Sequence, residues 1–454
     1  MRTIQEDRTS MWVTEALADY ISSLRPEDVT ASALEMAKRC ILDLMGAAAA
    51  GFGTAAACAV RNAVPRIFAG GSAAVWFSDL RLQGAASAMI NSAAASALDL
   101  DDGHRAAGGH PGASVIPAAV AVAEEVGASA EDLLTAVVIG YEVGIRVAAA
   151  RDFAALDTLS TGRWCAYGAA AAGGYLRKMP PRRLAQALAV AGVQAPGLSA
   201  SGYSSIMGNS VKEGIPWSTL TGLVALDLAD QGFSGPTDIL DHPSYYAPEK
   251  VLASLGSGFA IEKVYFKPYS CCRWSHSALD ALLGLVAEHH INPRDINKVE
   301  VHTFSRALRL NNSVDPDSLE GAQYSIPFVL AVAVLRGEKG LLPMPAEDLG
   351  KPDLVAFAQN VELHVDPQLD SVFPAQAPAR VILRTGRGDY ERLVMDALGD
   401  PDNPLDLPGL ESKFRTLSSR FMSSEQQEEM IKAIAQMEKR GCESFLSLLR
   451  KWRA

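Results

Sequence analysis

A dense polar cluster follows an Ala-rich apolar stretch in the first quarter of the chain. Residues 99–104 read Asp-Leu-Asp-Asp-Gly-His, and His110-Pro111 follows. An imidazole beside a carboxylate is the usual pairing for general acid/base chemistry, because the carboxylate fixes the ring tautomer and raises its basicity. The segment predicts polar site residues at the end of a buried helix, among them Asp99, His104 and His110. A solvated acidic loop is the structural alternative, and the same residue types are also metal ligands.

A second candidate is the segment from Lys267 to His276, which reads Lys-Pro-Tyr-Ser-Cys-Cys-Arg-Trp-Ser-His. Lys267 and Arg273 are suited to receive substrate carboxylates, and arginine does so with two parallel hydrogen bonds. His276 precedes a predicted helix, from which it can point into a cleft. The alternative is an ordered linker between domains with a capping histidine.

Two shorter segments carry isolated cations. Lys212 lies in the loop 208–214 before a predicted helix, where a desolvated lysine can bind an anion or act as a base. A solvated lysine beside Glu213 explains the same sequence. Arg163 precedes an Ala-rich helix, whose N-terminus also favours anions. The Gly-rich stretches match neither a phosphate loop nor a dinucleotide fingerprint.

The elements that position these residues change type along the chain. Up to about residue 265, apolar residues recur at helical spacing, as in 30–45, 114–126, 130–146, 165–176 and 184–191. Beyond that point, alternation predicts strands at 298–303 and 361–365 and a hairpin of 381–384 with 390–394. Helices are predicted at 277–288 and 326–335, and again from residue 408 onward.

These elements predict a mainly α fold with a smaller α+β part. We expect a discontinuous, all-helical domain of residues 1–266 and 401–454, with residues 267–400 inserted as an α+β lid domain. The length of 454 residues is too great for one ordinary core and is consistent with this division. The segment from Lys267 to His276 lies at the predicted boundary, where a cleft between domains would form.

Composition limits the classes of function. The chain is 48% hydrophobic and 20% charged, with a formal net charge of −11. An acidic balance argues against nucleic-acid binding, and it requires local cations to hold an anionic substrate. The apolar runs fall short of a membrane span, and the N-terminus does not resemble a signal peptide. The six cysteines form no metal or CxxC pattern, so we expect reduced thiols and a cytoplasmic location.

Taken together and in this order, the segments resemble the MmgE/PrpD family, which includes 2-methylcitrate dehydratases, cis-aconitate decarboxylases and iminodisuccinate epimerases. The resemblance covers nearly the whole chain. It is carried by four segments, which are 97–102 with His110-Pro111, 140–143 with Arg146, Lys212 with 232–236, and 267–276.

The resemblance implies a helical domain with an α+β lid, a site between them, no metal or organic cofactor, and a homodimer. Residues that match active-site positions proposed for the decarboxylase branch are Asp99, His110, Lys212, His276 and Tyr324. One match fails, because that branch has a histidine-proline pair where this chain reads Thr-Leu-Ser-Thr-Gly-Arg at 158–163. The missing histidine argues against decarboxylation, and the chain looks most similar to the epimerase branch.

The leading functional hypothesis is a cofactor-independent epimerase that inverts the α-carbon of an imino- or amino-linked dicarboxylate. Lys212 and His276 are the expected bases, with Tyr324 as a substitute. Asp99 and His110 would orient or polarise. The expected substrate-binding residues are Arg163, Lys267, Arg273 and His104. The alternatives are a dehydratase of the 2-methylcitrate type, acting on a tricarboxylate, and a carboxylate-binding protein without turnover.

Overall fold

A computed structural model describes residues 11–153, 155–156, 158–197 and 209–451. The N-terminal charged segment up to residue 10 and Gly208 of the lysine loop therefore lie outside the described residues. The helices of the first part are α1 Val13–Ser23, α2 Ala31–Gly51, α3 Ala55–Ala63, α4 Gly84–Ser96, α5 Gly112–Val126, α6 Ala130–Ala149, α7 Cys165–Leu176, α8 Pro181–Gln194, α9 Ile215–Asp230 and α10 Pro248–Leu252. Two short ladders accompany them, β1 Gly70–Ala74 with β2 Arg81–Leu82, and β3 Gly103–His104 with β4 Val264–Tyr265.

The second part mixes helices and strands and is followed by a helical tail. Its helices are α11 His276–Glu288, α12 Leu319–Gln323, α13 Ile326–Arg336, α14 Pro352–Ala358 and α15 Pro367–Asp370. Its strands are β5 Ile296–Thr303, β6 Val361–Val365, β7 Ala379–Thr385 and β8 Gly388–Val394. The tail consists of α16 Leu407–Ser418, α17 Ser424–Ala435, α18 Met437–Arg440 and α19 Cys442–Lys451. The predicted fold class, mainly α with an α+β part, is confirmed.

The four longer strands form one sheet in the order β6-β5-β7-β8. β5 and β6 run parallel, and the other pairs are antiparallel, including the predicted hairpin of β7 and β8. Val299 and Val301 are buried on the face of β5 that packs against helices, while Glu300 and His302 alternate with them on the other face. This alternation is the pattern of a half-buried strand.

The hydrophobic residues form two large clusters. One extends from α1 to Phe266 and takes in buried residues of α16, α17 and α19, so the tail packs on the first helices. The other joins α11, α13 and the sheet. A small third cluster, Ala47, Leu98, Leu100 and Leu417, holds the beginning of the acidic segment between α2 and α16. No single helix of the described residues is long and apolar enough to cross a membrane. α2 and residues 55–66 together have the length and composition of a span, but the chain bends by 91° between them.

Glycine allows the helices at the centre of the helical part to approach closely. A Cβ at Gly140 of α6 would lie 2.4 Å from Val115 Cγ1 and 2.9 Å from the carbonyl oxygen of Gly168. We expect Gly140→Ala to reduce the free energy of unfolding by about 1–3 kcal/mol through overpacking. Urea denaturation measures the change. Gly53→Ala is the matched control, since no atom lies within 4 Å of its Cβ position. Equal losses for the two variants would contradict the explanation.

Candidate active site

Three charged side chains form the centre of the site. Asp99 Oδ1 lies 3.0 Å from Lys212 Nζ and 2.9 Å from Lys267 Nζ, and all three side chains are at most 5% exposed. Burial opposes ionisation of Asp99, but the two ammonium groups outweigh it and hold the pKa of this carboxyl well below its usual range. In the same way, burial disfavours the Lys267 ammonium, yet Asp99 and Asp101 raise its pKa above the ordinary lysine value.

Local backbone structure brings these groups together. α4 is buried along its whole length and ends just before Asp99, which adopts a left-handed conformation with φ 57°. The antiparallel pairing of β3 with β4 then places Lys267 beside the acidic segment. A Cβ at Gly103 would lie 2.3 Å from the Tyr265 ring, so this ladder requires a glycine. Behind the segment, Lys413 of α16 donates to the carbonyl oxygen of Leu100 at 2.6 Å.

His110 forms a dyad with Asp101 at the edge of this centre. Nδ1 of His110 lies 3.0 Å from Asp101 Oδ2, whereas Nε2 lies 3.6 Å from Asp99 and 3.8 Å from Glu213. Burial and the Lys267 charge disfavour the imidazolium, but Asp101 and Glu213 outweigh them and raise the pKa of His110. The dyad orients the ring and leaves Nε2 to exchange a proton.

The atoms of Asp99, Asp101 and His110 also have the spacing of a metal site, since one ligand atom from each lies within 4.8 Å of the others. The Lys267 ammonium lies among them, 2.9 Å from Asp99 and 3.3 Å from His110 Nδ1. A cation of the chain itself therefore occupies the position that a metal ion would take. We assign these residues as partners of the lysine and not as metal ligands.

The α+β part completes the site from the end of α12. Gln323 Oε1 accepts from Lys212 Nζ at 3.1 Å, and its amide donates to the carbonyl oxygen of Ala97. The Tyr324 hydroxyl donates to Glu213 Oε1 at 3.3 Å and lies 3.5 Å from Lys212 Nζ. The site thus combines side chains of the helical part with side chains of the α+β part.

Two predicted residues of the segment 267–276 lie behind the site. Both ring nitrogens of His276 are engaged, with Nδ1 3.0 Å from Arg273 and Nε2 3.2 Å from the carbonyl oxygen of Cys271. Burial, Arg273 and Lys267 hold the pKa of His276 well below its usual range. Arg273 itself is paired with Asp400 at 2.9 Å and donates to the backbone carbonyls of residues 397 and 398. These contacts leave neither side chain open to a substrate.

Two further candidates lie apart from the cluster. His104 is buried, and desolvation with the Lys263 charge lowers its pKa to about 4, so the ring is a neutral part of the packing around β3. Arg163 is exposed on the far side of the turn 161–163. The structure does not bring either residue to Asp99, because β3 turns the first inward to the core and the turn directs the second to solvent.

Sequence reasoning did not select three residues that the structure places in the cluster. Asp101 lies two residues from Asp99, Glu213 follows Lys212, and Gln323 precedes Tyr324. Each lies within two positions of a predicted site residue, and this proximity in the sequence is the feature that points to it. Glu213 was interpreted only as a partner for a solvated lysine. Its Oε2 instead accepts from the backbone nitrogen of Thr161 at 2.9 Å and from the Thr161 hydroxyl at 2.7 Å.

A small cavity borders Lys212. Its walls are mainly small or apolar and consist of Ala56, Val60, Ala93, Ser96, Ala97, Ser210, Lys212, Pro216 and Glu320. The arrangement as a whole can bind an anion, stabilise developing negative charge and transfer a proton.

Comparison with known proteins identifies the relatives of this chain. It is 28% identical to human cis-aconitate decarboxylase over 474 residues, covering 96% of this chain and 94% of that protein. The Aspergillus terreus cis-aconitate decarboxylase is 26% identical over 445 residues, with 89% of both chains covered, and the mouse protein is 27% identical over 462 residues, with 94% and 91% covered. These relatives are decarboxylases, so the expected closeness to the epimerase branch is not supported. The MmgE/PrpD N-terminal domain matches residues 15–247 and the MmgE/PrpD C-terminal domain matches residues 269–439. The chain belongs to the MmgE/PrpD family.

Proposed function

We propose that this protein is a cofactor-independent lyase that removes a proton beside a carboxylate of a tricarboxylic acid and expels a neighbouring hydroxyl as water. The observation that carries the proposal is the His110–Asp101 dyad, which lies against the buried pair of ammonium groups of Lys212 and Lys267. An acid/base group and fixed cations are the two components that such an elimination needs.

The lysines address the main chemical difficulty of the reaction. A proton beside a carboxylate is weakly acidic, because its removal places further negative charge on that carboxylate. Ammonium groups fixed in a buried site stabilise this charge, and contributions of this kind are commonly worth about 3–4 kcal/mol. Asp99 holds the two ammonium groups in place, and Lys212 also lines the small cavity.

His110 is suited to assist the leaving group. Its raised pKa favours the imidazolium form, and Nε2 is the nitrogen that points away from Asp101. An imidazolium there can protonate the departing hydroxyl, which leaves as water. This role replaces the orienting role that the sequence suggested for His110.

Two other reactions use the same site. Decarboxylation is favoured by the relatives, all three of which are named cis-aconitate decarboxylases. Epimerisation of an imino-linked dicarboxylate requires proton return to the opposite face of the carbon and no leaving group. The missing histidine in 158–163 argues against decarboxylation, and no relative found here favours epimerisation. We therefore place dehydration first and decarboxylation second.

The reactions differ in product and are tested together. The protein is incubated in D₂O with 2-methylcitrate, citrate, cis-aconitate and iminodisuccinate, and the products are followed by proton NMR. Dehydration gives an alkene that retains all carboxylates, and decarboxylation gives a labelled product that lacks one carboxylate. An inverted, deuterated α-carbon in an otherwise intact acid would support epimerisation and contradict the proposal. Binding without turnover or exchange would support a carboxylate-binding protein.

Tyr324→Phe tests the contribution of the second cluster to this site. The substitution removes the hydroxyl that contacts Glu213 and lies near Lys212 and leaves the ring in place. A hydrogen bond to a charged group contributes about 1.5–3 kcal/mol, so we expect kcat/KM to fall by roughly 10- to 100-fold. Steady-state kinetics with the best substrate measures this. Tyr390→Phe, on the half-buried face of β8, is the control, and equal activity of Tyr324→Phe and wild type would exclude the hydroxyl from the reaction.

A further inference from the structure

We propose that Glu213 is the catalytic base, the group that takes the proton from the substrate carbon. The inference rests on the proposed lyase reaction and adds the residue which that reaction still lacks. Lys212 was the base expected from the sequence, but its ammonium is ion-paired with Asp99 and donates to Gln323. His276 was the other, and both of its ring nitrogens are engaged.

Glu213 is the most exposed carboxylate of the cluster. Its side chain is 20% exposed, compared with 2% for Asp99 and 0% for Asp101. Asp99 is held by two ammonium groups and Asp101 by the His110 ring, so both are committed to partners within the site. Glu213 Oε1 instead faces the Tyr324 hydroxyl at 3.3 Å and His110 Nε2 at 3.8 Å. The Tyr324 hydroxyl lies within 3.5 Å of both Lys212 Nζ and this oxygen, so a substrate bound to the lysine would lie beside Glu213.

The backbone holds this carboxylate in an unusual conformation. Lys212 and Glu213 have φ of 43° and 56°, in the left-handed backbone region that residues other than glycine seldom adopt. Such conformations persist only where the surrounding structure enforces them, and they concentrate at functional sites. The enforcing contacts are the two hydrogen bonds from Thr161 to Oε2, and Oε1 is directed toward Tyr324 and His110.

The loop that supplies these contacts is the one that lacks the histidine of the decarboxylase branch. Gly162 allows the loop to approach, because a Cβ there would lie 2.4 Å from the carbonyl oxygen of Glu213. The loop also orders His110, whose backbone nitrogen donates to the Thr161 hydroxyl at 3.1 Å. In this chain the loop therefore contributes to the site through Thr161, which holds the Glu213 carboxylate in place.

The step balances with His110 as the acid. The Glu213 carboxylate takes the proton from the substrate carbon, and the electron pair of the C–H bond becomes the new carbon–carbon π bond. The bond from the neighbouring carbon to its hydroxyl breaks, and the hydroxyl takes a proton from the His110 imidazolium and leaves as water. Glu213 is then a carboxylic acid and His110 a neutral imidazole. Return of the proton from Oε1 to Nε2, 3.8 Å apart, restores both groups.

The test uses the full-length protein and the tricarboxylate that the wild type turns over fastest. For Glu213→Gln we expect kcat to fall by about 10²- to 10⁴-fold with little change in KM. Glutamine can still accept from Thr161, so the loop should keep its position. Glu213→Ala with added formate is the second variant, and formate should restore part of the rate because it supplies a carboxylate. Glu249→Gln, on the exposed surface of α10, is the control for lost charge.

The outcomes separate this inference from the function on which it rests. A wild-type protein that eliminates water from none of the acids tested refutes the proposed function before a variant is made, and the inference falls with it. A wild type that eliminates water together with a Glu213→Gln variant that keeps its kcat overturns the inference alone. A slow Glu213→Ala variant that formate does not accelerate also overturns it, since Glu213 would then only support the loop.

Discussion

Lys267→Met is expected to remove most of the activity and much of the stability. The side chain is fully buried, and its ammonium lies 2.9 Å from Asp99 and 3.3 Å from His110. Its loss removes one of the two cations that would stabilise the developing charge, a change that typically lowers kcat by about 10²- to 10³-fold. It also leaves Asp99 with Lys212 alone, and breaking a buried ion pair costs roughly 3–5 kcal/mol of folding free energy.

Kinetics and urea denaturation separate the two effects. Arg146→Met is the matched control, because Arg146 pairs at 2.5 Å with the buried carboxylate of Glu142 in α6, away from the site. We expect the control to lose stability and to keep its kcat. A Lys267→Met variant that loses stability but retains the wild-type kcat would show that the lysine is only structural.

The pH dependence of the folding free energy gives a further check on the ion pair of Asp99 and Lys267. The pKa of Asp99 is depressed in the folded protein, so its contribution is present above the unfolded value of about 3.9 and is lost as pH falls through the folded pKa. The pKa of Lys267 is raised, so its contribution is present below about 10.4 and is lost as pH rises through the folded value. In Lys267→Met, the pKa of Asp99 should rise, because one of the cations that depress it is gone. The loss of stability relative to the wild type should therefore shrink as pH falls, because Asp99 takes up a proton and the charge that Lys267 had stabilised disappears.

His110→Gln is the second large effect that we expect. Removal of the acid should lower kcat by about 10²- to 10⁴-fold, because the hydroxyl would then leave without a proton.

Asp101→Asn should change the reaction indirectly, through the His110 ring. The Asp101 carboxylate helps to raise the pKa of His110, so its neutralisation should lower that pKa. The imidazolium would then be lost at lower pH.

The alkaline limb of the pH profile of kcat/KM measures this shift. It should move to lower pH in Asp101→Asn and disappear in His110→Gln, because the limb reports the acid of the free enzyme. Glu362→Gln is the matched control, since Glu362 lies 3.5 Å from the exposed His364 on the sheet, far from the acidic segment. An alkaline limb that stays in place in Asp101→Asn would mean that His110 is not the acid.

Much of the fold could be predicted from periodicity alone. The helical pattern of residues 130–146 corresponds to α6, and the alternation at 298–303 corresponds to β5, because burial of one face imposes the repeat of the element on the sequence. The polar segments were recognisable for the same reason, since acids and histidines interrupt otherwise apolar stretches. The lysines and Asp99 were selected on this basis, and the structure brings them together.

The tertiary structure decided which of these side chains face the site. His276 and Arg273 belong to the same segment as Lys267, yet the carbonyl groups of residues 397 and 398 and the Asp400 carboxylate draw Arg273 to the opposite side. Glu213 looked like the partner of a solvated lysine, and only contact with the Thr161 loop turns its carboxylate toward Tyr324 and His110. The sequence by itself determined the helical and α+β parts and the candidate polar segments, because periodicity and polarity are local properties. It could not determine the direction of each side chain within a segment, because hydrogen bonds to distant residues, 52 positions away for Glu213 and 168 for Lys267, help to set that direction.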